Sequence, residues 1–338
     1  MSVKHQIRKG VGAADRRISK WYLETIGDKP AVLSFLFHTV FDDKEEMSQD
    51  LLDPQQALCL DDYRFVFERF LEMDFQFVDS QQIMQGLEPD KRYVNITFDD
   101  GYRNNFKLLP LLEEYQIPID LFVTTDNVKN QESFCYDVVY RRRREQGRSL
   151  DEVRLEQQSL KVMAHSEILR YLDREFGPDC LTPVGDLDRP MTPDEVTEIS
   201  KNPWVRIGNH TSNHRLLSKY TDEVVEREVF DCQRDLEKWI GYAPKTFAYP
   251  NGDYDRRLFP ILMRNGIEYA VTCDWRKIEP ATWAVRSNEP YRLGRFCFLG
   301  PENLDDQINM FRNPYSPFVL AKNAVHGIRA VKDGRHSK

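Results

Sequence analysis

The chain has 338 residues, 41% of them hydrophobic and 12% aromatic, and its formal net charge is −8. This composition supports a sizeable core and excludes a largely disordered chain, and the acidic balance argues against a nucleic-acid-binding protein. No leader-like segment and no apolar run of roughly 18 residues occurs, so we expect a cytoplasmic protein without a transmembrane helix. The six cysteines show no CxxC pair and are expected to be reduced thiols.

Short apolar runs alternate with amphipathic segments along most of the chain. The run at 32–37 predicts a strand that is buried on both faces, as in parallel sheets, and strands are also predicted at 93–98 and 119–123. Further strands are predicted at 76–78, 204–207, 245–249, 269–272 and 292–298, and helices near 65–71, 108–112, 221–240 and 258–262. Strands that alternate with helices favour an α/β fold of parallel βα units.

Residues 136–190 interrupt this alternation. Most of the segment is charged and poor in glycine and proline, and its partial helical periodicity predicts one or two helices inserted into the barrel. Four arginines at 141–144 favour a solvated helix face, with a phosphate-binding site as the alternative. Thr192 and Glu195 have the spacing of a capping box, which predicts the start of the next helix.

The two ends of the chain are basic. Residues 1–20 and residues 312–338 each carry a net charge of +5, on a body that is strongly acidic. We therefore divide the chain into a basic segment (1–30), a barrel (31–300) and a basic tail (301–338) with a helix or two. Contact with an anionic membrane surface and ordinary solvated termini are the two interpretations of these ends.

Two polar motifs directly follow predicted strands. Residues 97–102 read TFDDGY, and residues 208–214 read GNHTSNH. Two imidazoles and one carboxylate can bind a catalytic Zn²⁺ whose fourth position is left to water, and a second carboxylate can act as a base. Histidines four apart are predicted to share one face of a helical turn. Hydrogen-bonded loop histidines and an Asx-turn pair are the alternatives.

These motifs resemble those of the polysaccharide deacetylases, a family with a NodB-type distorted (β/α) barrel of about seven parallel strands. FDDGY (98–102) is similar to the first family motif, and HTSNH (210–214) is similar to the second. FAYPNG (247–252) is similar to the third, and FHTV (37–40) resembles a segment of the poly-N-acetylglucosamine deacetylases. The resemblance covers roughly residues 31–300, and the motifs occur in the family order.

The resemblance implies one divalent metal, most often zinc, with cobalt, nickel or manganese as alternatives. Its ligands would be Asp100, His210 and His214, and Asp99 would be the catalytic base. His38 would be the general acid, with a structural histidine at a strand end as the alternative. In a parallel barrel the carboxyl ends of the strands open on one face, so these residues are expected to converge there.

The chain departs from the family pattern at three places. The region 291–296 lacks the late family histidine, and Ala248 lies near the place of the usual arginine of the third motif. Arg295 is expected to reach the catalytic aspartate instead, or else to form a salt bridge at the barrel rim. Asn251 replaces a usual tyrosine, although a backbone N–H near it can still stabilise an oxyanion.

Two aromatic residues are further candidates for the substrate pocket. Tyr249 belongs to the third motif and is expected beside Asn251 in the pocket. Trp275 follows Asp274 and resembles the "DW" motif of the family, although it also simply follows a predicted strand.

The resemblance implies a metal-dependent deacetylase. The expected reaction removes an N-acetyl or N-formyl group from an amino sugar in a glycan, a lipid-linked saccharide or a nucleotide-linked saccharide. The alternatives are a non-catalytic barrel that binds carbohydrate or a protein partner, and a deacylase of a small non-sugar amide.

Overall fold

The computed structural model describes the backbone of residues 3–278 and 289–332, and the side chains of residues 14–278 and 290–324. Its sheet consists of parallel strands: β1 (Ala31–Phe37), β2 (Gln76–Phe77), β3 (Arg92–Phe98), β4 (Ile119–Val123), β5 (Val205–Asn209), β6 (Thr246–Ala248) and β7 (Tyr269–Val271). The strand order is β1-β3-β4-β5-β6-β7, and β2 pairs with β3. The predicted parallel α/β architecture is confirmed.

The segment after β7 closes the gap between the two edges of the sheet. Leu293 forms a parallel bridge with Val271 of β7, and Phe296 forms one with Phe35 of β1. The predicted strand at 292–298 is therefore a segment with two isolated bridges, and its Arg295 side chain reaches Thr97 and Asp99 of the neighbouring strand end.

Helices surround this sheet. They are α1 (Val3–Thr25), α2 (Lys44–Met47), α3 (Leu60–Glu72), α4 (Ser80–Gln85), α5 (Leu109–Tyr115), α6 (Thr125–Asn130), α7 (Cys135–Glu145), α8 (Leu150–Leu160), α9 (His165–Phe176), α10 (Pro193–Ile199), α11 (Asp222–Ile240), α12 (Leu258–Arg264), α13 (Leu304–Arg312) and α14 (Pro317–Lys332). The capping box predicted at Thr192 and Glu195 begins α10. In the described part of the chain, no helix is long and apolar enough to span a membrane.

Aromatic side chains fill the core between the sheet and the outer helices. Phe35 is fully buried, and its ring lies 5.2–5.5 Å from the ring centroids of Phe70, Phe298 and Phe311. Burying one such ring contributes about 1.5–3 kcal/mol, so this cluster is a major source of stability. It also fixes the segment that closes the barrel against β1.

The insertion contains three helices, α7, α8 and α9, rather than one or two. The arginine run lies on α7, and the expected solvated face is wrong for Arg141 and Arg143, whose side chains are 4% and 16% exposed. The four arginines form ion pairs with, in chain order, Asp188, Glu145, Glu156 and Asp50. These pairs tie the insertion to itself and to the loop after α2.

The first helix packs against the last two. Asp15 of α1 is buried, and its carboxylate accepts hydrogen bonds from Ser19 Oγ, Ser316 Oγ and the backbone N–H of Phe318. The two terminal segments therefore meet on one side of the barrel. Several of their basic side chains lie outside the described residues: Lys4, Arg8, Lys9, Arg329, Lys332, Arg335 and Lys338.

Candidate active site

The two adjacent carboxylates lie at the turn that ends β3. The Asp99 N–H donates to the Phe37 carbonyl (2.9 Å), which continues the strand pairing by one residue. Asp100 and Gly101 then adopt φ values of 78° and 87°, and a Cβ on Gly101 would lie 3.1 Å from Val123 Cγ1. This left-handed turn lets both carboxylates face the same cavity, which a regular strand would not allow.

Asp99 forms a fully buried ion pair with Arg295. The guanidinium donates to both carboxylate oxygens (2.7 and 2.8 Å), and it also donates to Thr97 Oγ1 (2.9 Å) and the Thr272 carbonyl (3.1 Å). Burial alone would raise the pKa of Asp99, but Arg295 and His210 outweigh it and hold this pKa below its usual value. The segment that closes the barrel thus supplies a cation that keeps Asp99 ionised.

The two histidines lie on a loop after β5, and the predicted helical turn is wrong. Thr211 and His214 have φ values of 67° and 51°, so the loop makes two left-handed turns. Asn209, the last residue of β5, accepts a hydrogen bond from the Thr211 N–H (2.9 Å) and donates to the Val229 carbonyl (3.0 Å). These bonds bring the two imidazoles to a centroid separation of 5.0 Å.

Glu228 of α11 also holds this loop, a role that the sequence analysis missed. Its carboxylate accepts hydrogen bonds from the Asn213 N–H (2.8 Å) and side chain (3.1 Å), and it pairs with Arg215 (3.2 Å). Its carbonyl accepts a bond from the Ser212 N–H (3.1 Å). The signal for this role was an acidic residue on the apolar face of a predicted amphipathic helix.

Asp100, His210 and His214 form the group that could hold a metal ion. Asp100 Oδ1 lies 3.4 Å from His210 Nε2 and 3.5 Å from His214 Nε2. Ligands about 2.0–2.1 Å from one tetrahedral zinc ion are separated by roughly 3.3 Å, so these distances suit such an ion. Asp100 Oδ1 is buried and has no hydrogen-bond partner among the described residues, which also fits a ligand atom.

The pKa shifts of His214 and Asp100 favour the forms that bind a metal, whereas the pKa of His210 is raised because the charges of Asp99 and Asp100 outweigh the effect of its burial. The Nδ1 atom of His210 lies 2.8 Å from the Ala248 carbonyl, and a proton on Nδ1 would leave Nε2 free to bind the ion. Burial lowers the pKa of His214 to about 4, despite the opposing charge of Asp100. Burial would raise the pKa of Asp100, but the neighbouring histidines hold it below its usual value. A neutral imidazole and an ionised carboxylate are the forms that bind metals.

His38 lies on the same face, directly after β1. Its carbonyl accepts a hydrogen bond from Asn105 Nδ2 (2.8 Å), which fixes the loop that carries it. Its Nδ1 atom is buried and has no hydrogen-bond partner among the described residues. Burial lowers the pKa of His38, while the charges of Asp100 and Asp99 act in the opposite direction.

The predicted site residues line a cavity of about 440 Å³ at the carboxyl ends of the strands. Its walls include His38, Asp99, Asp100, both motif histidines and Asn251. The insertion supplies another wall, because Tyr136 of α7 and four residues at 154–161 line the same cavity. Tyr136 packs edge-on against His214 at 6.1 Å, and its hydroxyl accepts a long hydrogen bond from Asn251 Nδ2 (3.5 Å).

Two predicted pocket residues are placed elsewhere, and both predictions need correction. Tyr249 is fully buried, and its hydroxyl donates to the Tyr291 carbonyl (3.0 Å) on the far side of β6 from the cavity. Trp275 is 2% exposed and packs against Phe311 in the core. Neither side chain lines the cavity, because each lies in a hydrophobic cluster.

Comparison with known sequences identifies the same family. The model of the polysaccharide deacetylase family matches residues 86–270. A peptidoglycan-N-acetylglucosamine deacetylase of Bacillus cereus is 30% identical over 95 residues, which cover 25% of this chain and 43% of that protein. The Bacillus subtilis protein YlxY is 27% identical over 99 residues, which cover 28% of this chain and 31% of that protein. The chain thus spans less than half the length of these relatives.

Comparison with solved structures supports the fold. The Streptococcus pyogenes deacetylase PplD in complex with acetate is 18% identical with a TM-score of 0.53, covering 82% of this chain and 97% of that one. A de-N-acetylase from Aggregatibacter actinomycetemcomitans is 15% identical with a TM-score of 0.57, covering 84% of this chain and 100% of that one. The expected NodB-type distorted barrel is confirmed. Because the family model covers more than half of the chain, this protein belongs to the polysaccharide deacetylase family.

Proposed function

We propose that this protein is a metal-dependent hydrolase that removes an N-acetyl or N-formyl group from an amino sugar. The sugar would be part of a glycan, a lipid-linked saccharide or a nucleotide-linked saccharide. One observation carries the proposal: an ion-paired carboxylate, Asp99, lies beside the Asp100, His210 and His214 group in a single cavity. Membership of the family and the family's motifs support the same reaction.

Asp100, His210 and His214 would hold one divalent metal, with zinc as the first candidate and cobalt, nickel or manganese as alternatives. The bound ion supplies a Lewis acid that polarises the amide carbonyl and lowers the pKa of water toward about 7. Glu228 and the Ala248 carbonyl keep the histidine loop and the His210 ring in place for this ion.

Asp99 would accept the proton of the attacking water. It is suited to this role because Arg295 binds both of its oxygens, fixes its orientation and keeps it ionised. Its Oδ2 atom is 3.9 Å from His210 Nε2, so it lies next to the ligand group without being part of it.

The remaining steps need a proton donor for the leaving nitrogen and a hydrogen-bond donor that stabilises the oxyanion. We assign His38 to deliver a proton to the leaving nitrogen, because its ring borders the cavity and its Nδ1 has no partner among the described side chains and backbone. The backbone N–H near Asn251 would stabilise the oxyanion. The C–N bond then breaks to give a free amine and acetate or formate.

An acetate-release assay on N-acetylglucosamine oligosaccharides tests this proposal. Wild type should release acetate, and Asp99→Asn should reduce turnover by about 10²-fold or more while it retains bound metal. Asp90→Asn is a matched control, because Asp90 is exposed and lies outside the cavity. Equal turnover of wild type and Asp99→Asn would contradict the assigned base. No release from any amino sugar would favour a binding barrel or a deacylase of other amides.

A further inference from the structure

The insertion helix α8 presents polar side chains to the catalytic cavity. Arg154 and Gln158 of α8 line this cavity together with Lys161, the residue that caps the end of the helix, and their spacing of four and three residues places them on one face. The opposite face packs inward through Val153 and Leu160, which are buried. The fold therefore holds one row of cationic and amide groups at the mouth of the site.

Most arginines of the insertion are already used in ion pairs, but Arg154 is not. Arg141, Arg142, Arg143, Arg144 and Arg148 each bind a carboxylate. Arg154 is exposed, and no carboxylate among the described residues lies within ion-pair distance of it. The carboxylates of α8 at Glu152 and Glu156 bind Arg148 and Arg143 instead. A guanidinium that is free in the protein remains available to a ligand.

Among the described residues, none of the acidic groups that line the cavity forms an ion pair with Arg154. Asp99 is bound by Arg295, and Asp100 faces the two histidines. Asp53 accepts hydrogen bonds from Gln157 Nε2 (2.7 Å) and the Gln55 N–H (3.1 Å). The guanidinium of Arg154 thus keeps its positive charge at the mouth of the cavity.

We propose that Arg154, Gln158 and Lys161 form a phosphate subsite, so that the substrate is an amino sugar that carries a phosphate or pyrophosphate group. This inference rests on the proposed function and narrows its substrate class. A guanidinium fork binds two phosphate oxygens, an ammonium adds a point charge and an amide donates a further hydrogen bond. The cavity volume of about 440 Å³ lies within the range of ligand sites of roughly 300–1,000 Å³.

Matched substrates separate this subsite from the deacetylation itself. N-acetylglucosamine 1-phosphate is compared with the neutral methyl glycoside of the same sugar, in wild type, Arg154→Gln and Lys161→Gln. Each variant should lower kcat/KM for the phosphorylated sugar by roughly tenfold or more, as expected for the loss of a charged hydrogen bond. The loss should lie mainly in KM, and the neutral glycoside should change less than about twofold.

The control variant is Arg170→Gln, which removes the same charge from α9, outside the cavity. It should leave kcat/KM for both substrates unchanged, and the unfolding midpoints of all variants should match wild type. Equal losses for both substrates, or no loss in Arg154→Gln, would overturn the phosphate subsite.

Calorimetric titration of chelator-treated protein with pyrophosphate gives a readout that does not depend on turnover. Wild type should bind it, and Arg154→Gln should bind roughly tenfold more weakly or worse. Equal affinity of the two proteins overturns the inference, even if no amino sugar is deacetylated and the proposed function itself fails. Two further substrates, a nucleotide-linked and a short prenyl-linked N-acetylglucosamine pyrophosphate, then show whether the phosphate group belongs to a nucleotide or to a lipid carrier. The substrate class that the enzyme prefers has the higher kcat/KM.

Discussion

Replacing Arg295 with methionine removes the guanidinium that binds both carboxylate oxygens of Asp99. The side chains of Arg295 and Asp99 are 0% and 4% exposed, so the variant leaves a carboxylate buried without its cation. Breaking a buried ion pair from one side costs about 3–5 kcal/mol, which is a large part of a typical unfolding free energy of about 5–15 kcal/mol. Arg295→Met should therefore lower stability strongly and also impair the proposed base.

Urea denaturation of chelator-treated protein, followed by tryptophan fluorescence, measures this loss. Arg170→Met, an exposed arginine on α9, is the matched control and should stay within about 0.5 kcal/mol of wild type. The double variant Asp99→Leu Arg295→Met should be more stable than Arg295→Met, because it also removes the unpaired charge. If Arg295→Met is no less stable than the control, the ion pair does not stabilise the site as we infer.

The stability loss caused by Arg295→Met should depend on pH. Arg295 holds the pKa of Asp99 below its usual value, so the stabilisation by this pair is present at neutral pH. It is lost as the pH falls through the folded-state pKa of Asp99. The stability difference between wild type and Arg295→Met should therefore narrow toward acid pH, and a difference that widens there would contradict the assignment.

Three further predictions follow from the site and from the chain termini. His38→Ala should slow hydrolysis of amides with poor leaving groups by about 10²-fold and should affect activated amides least. If wild type and His38→Ala hydrolyse an amide with a poor leaving group at the same rate, His38 is not the acid. Glu228→Ala should weaken metal affinity by about 10–100-fold in a metal titration, and unchanged affinity would contradict its role in holding the loop. The basic ends should promote sedimentation with anionic liposomes at low salt and less at high salt. If the protein shows no preference for anionic over neutral liposomes, the basic ends are ordinary solvated termini.

The buried strands were predictable because short apolar runs are typical of strands in the interior of a parallel sheet. Ala31–Phe37 and Ile119–Val123 are apolar except for Ser34 and Asp120, and every residue of both strands is buried. The last predicted strand, at 292–298, forms only isolated bridges. At Gly294 the chain passes close to other backbone, and a Cβ there would be 2.5 Å from the Asp274 carbonyl oxygen. That crowding accompanies isolated bridges in place of a continuous ladder.

The helix count of the insertion was not predictable from apolar periodicity alone. Because most of its residues are polar or charged, the sequence pattern does not show where one helix ends and the next begins. The capping box of Ser149 and Glu152 does mark the start of α8. The ion pairs of the arginine run join residues distant in sequence, such as Arg141 and Asp188, which periodicity does not reveal.

The motifs indicated which residues gather at the barrel mouth, but not the direction of each side chain. His210 and His214 converge through two left-handed residues, Thr211 and His214, and neither is the glycine that usually marks such a conformation. Tyr249 and Trp275 also follow strands, yet their side chains are buried in the core. Sequence position alone places a residue near a site; the local backbone decides whether it enters the cavity.

Metal dependence of sugar deacetylation is the most direct test of the central claim. Acetate release from an N-acetylated amino sugar should disappear after chelation and return when about one equivalent of Zn²⁺ or Co²⁺ is added. His210→Ala should neither retain the metal nor recover activity, while the exposed control Asp90→Asn should behave as wild type. Full activity in the chelated protein, or equal metal content in wild type and a His210→Ala His214→Ala double variant, would contradict the account.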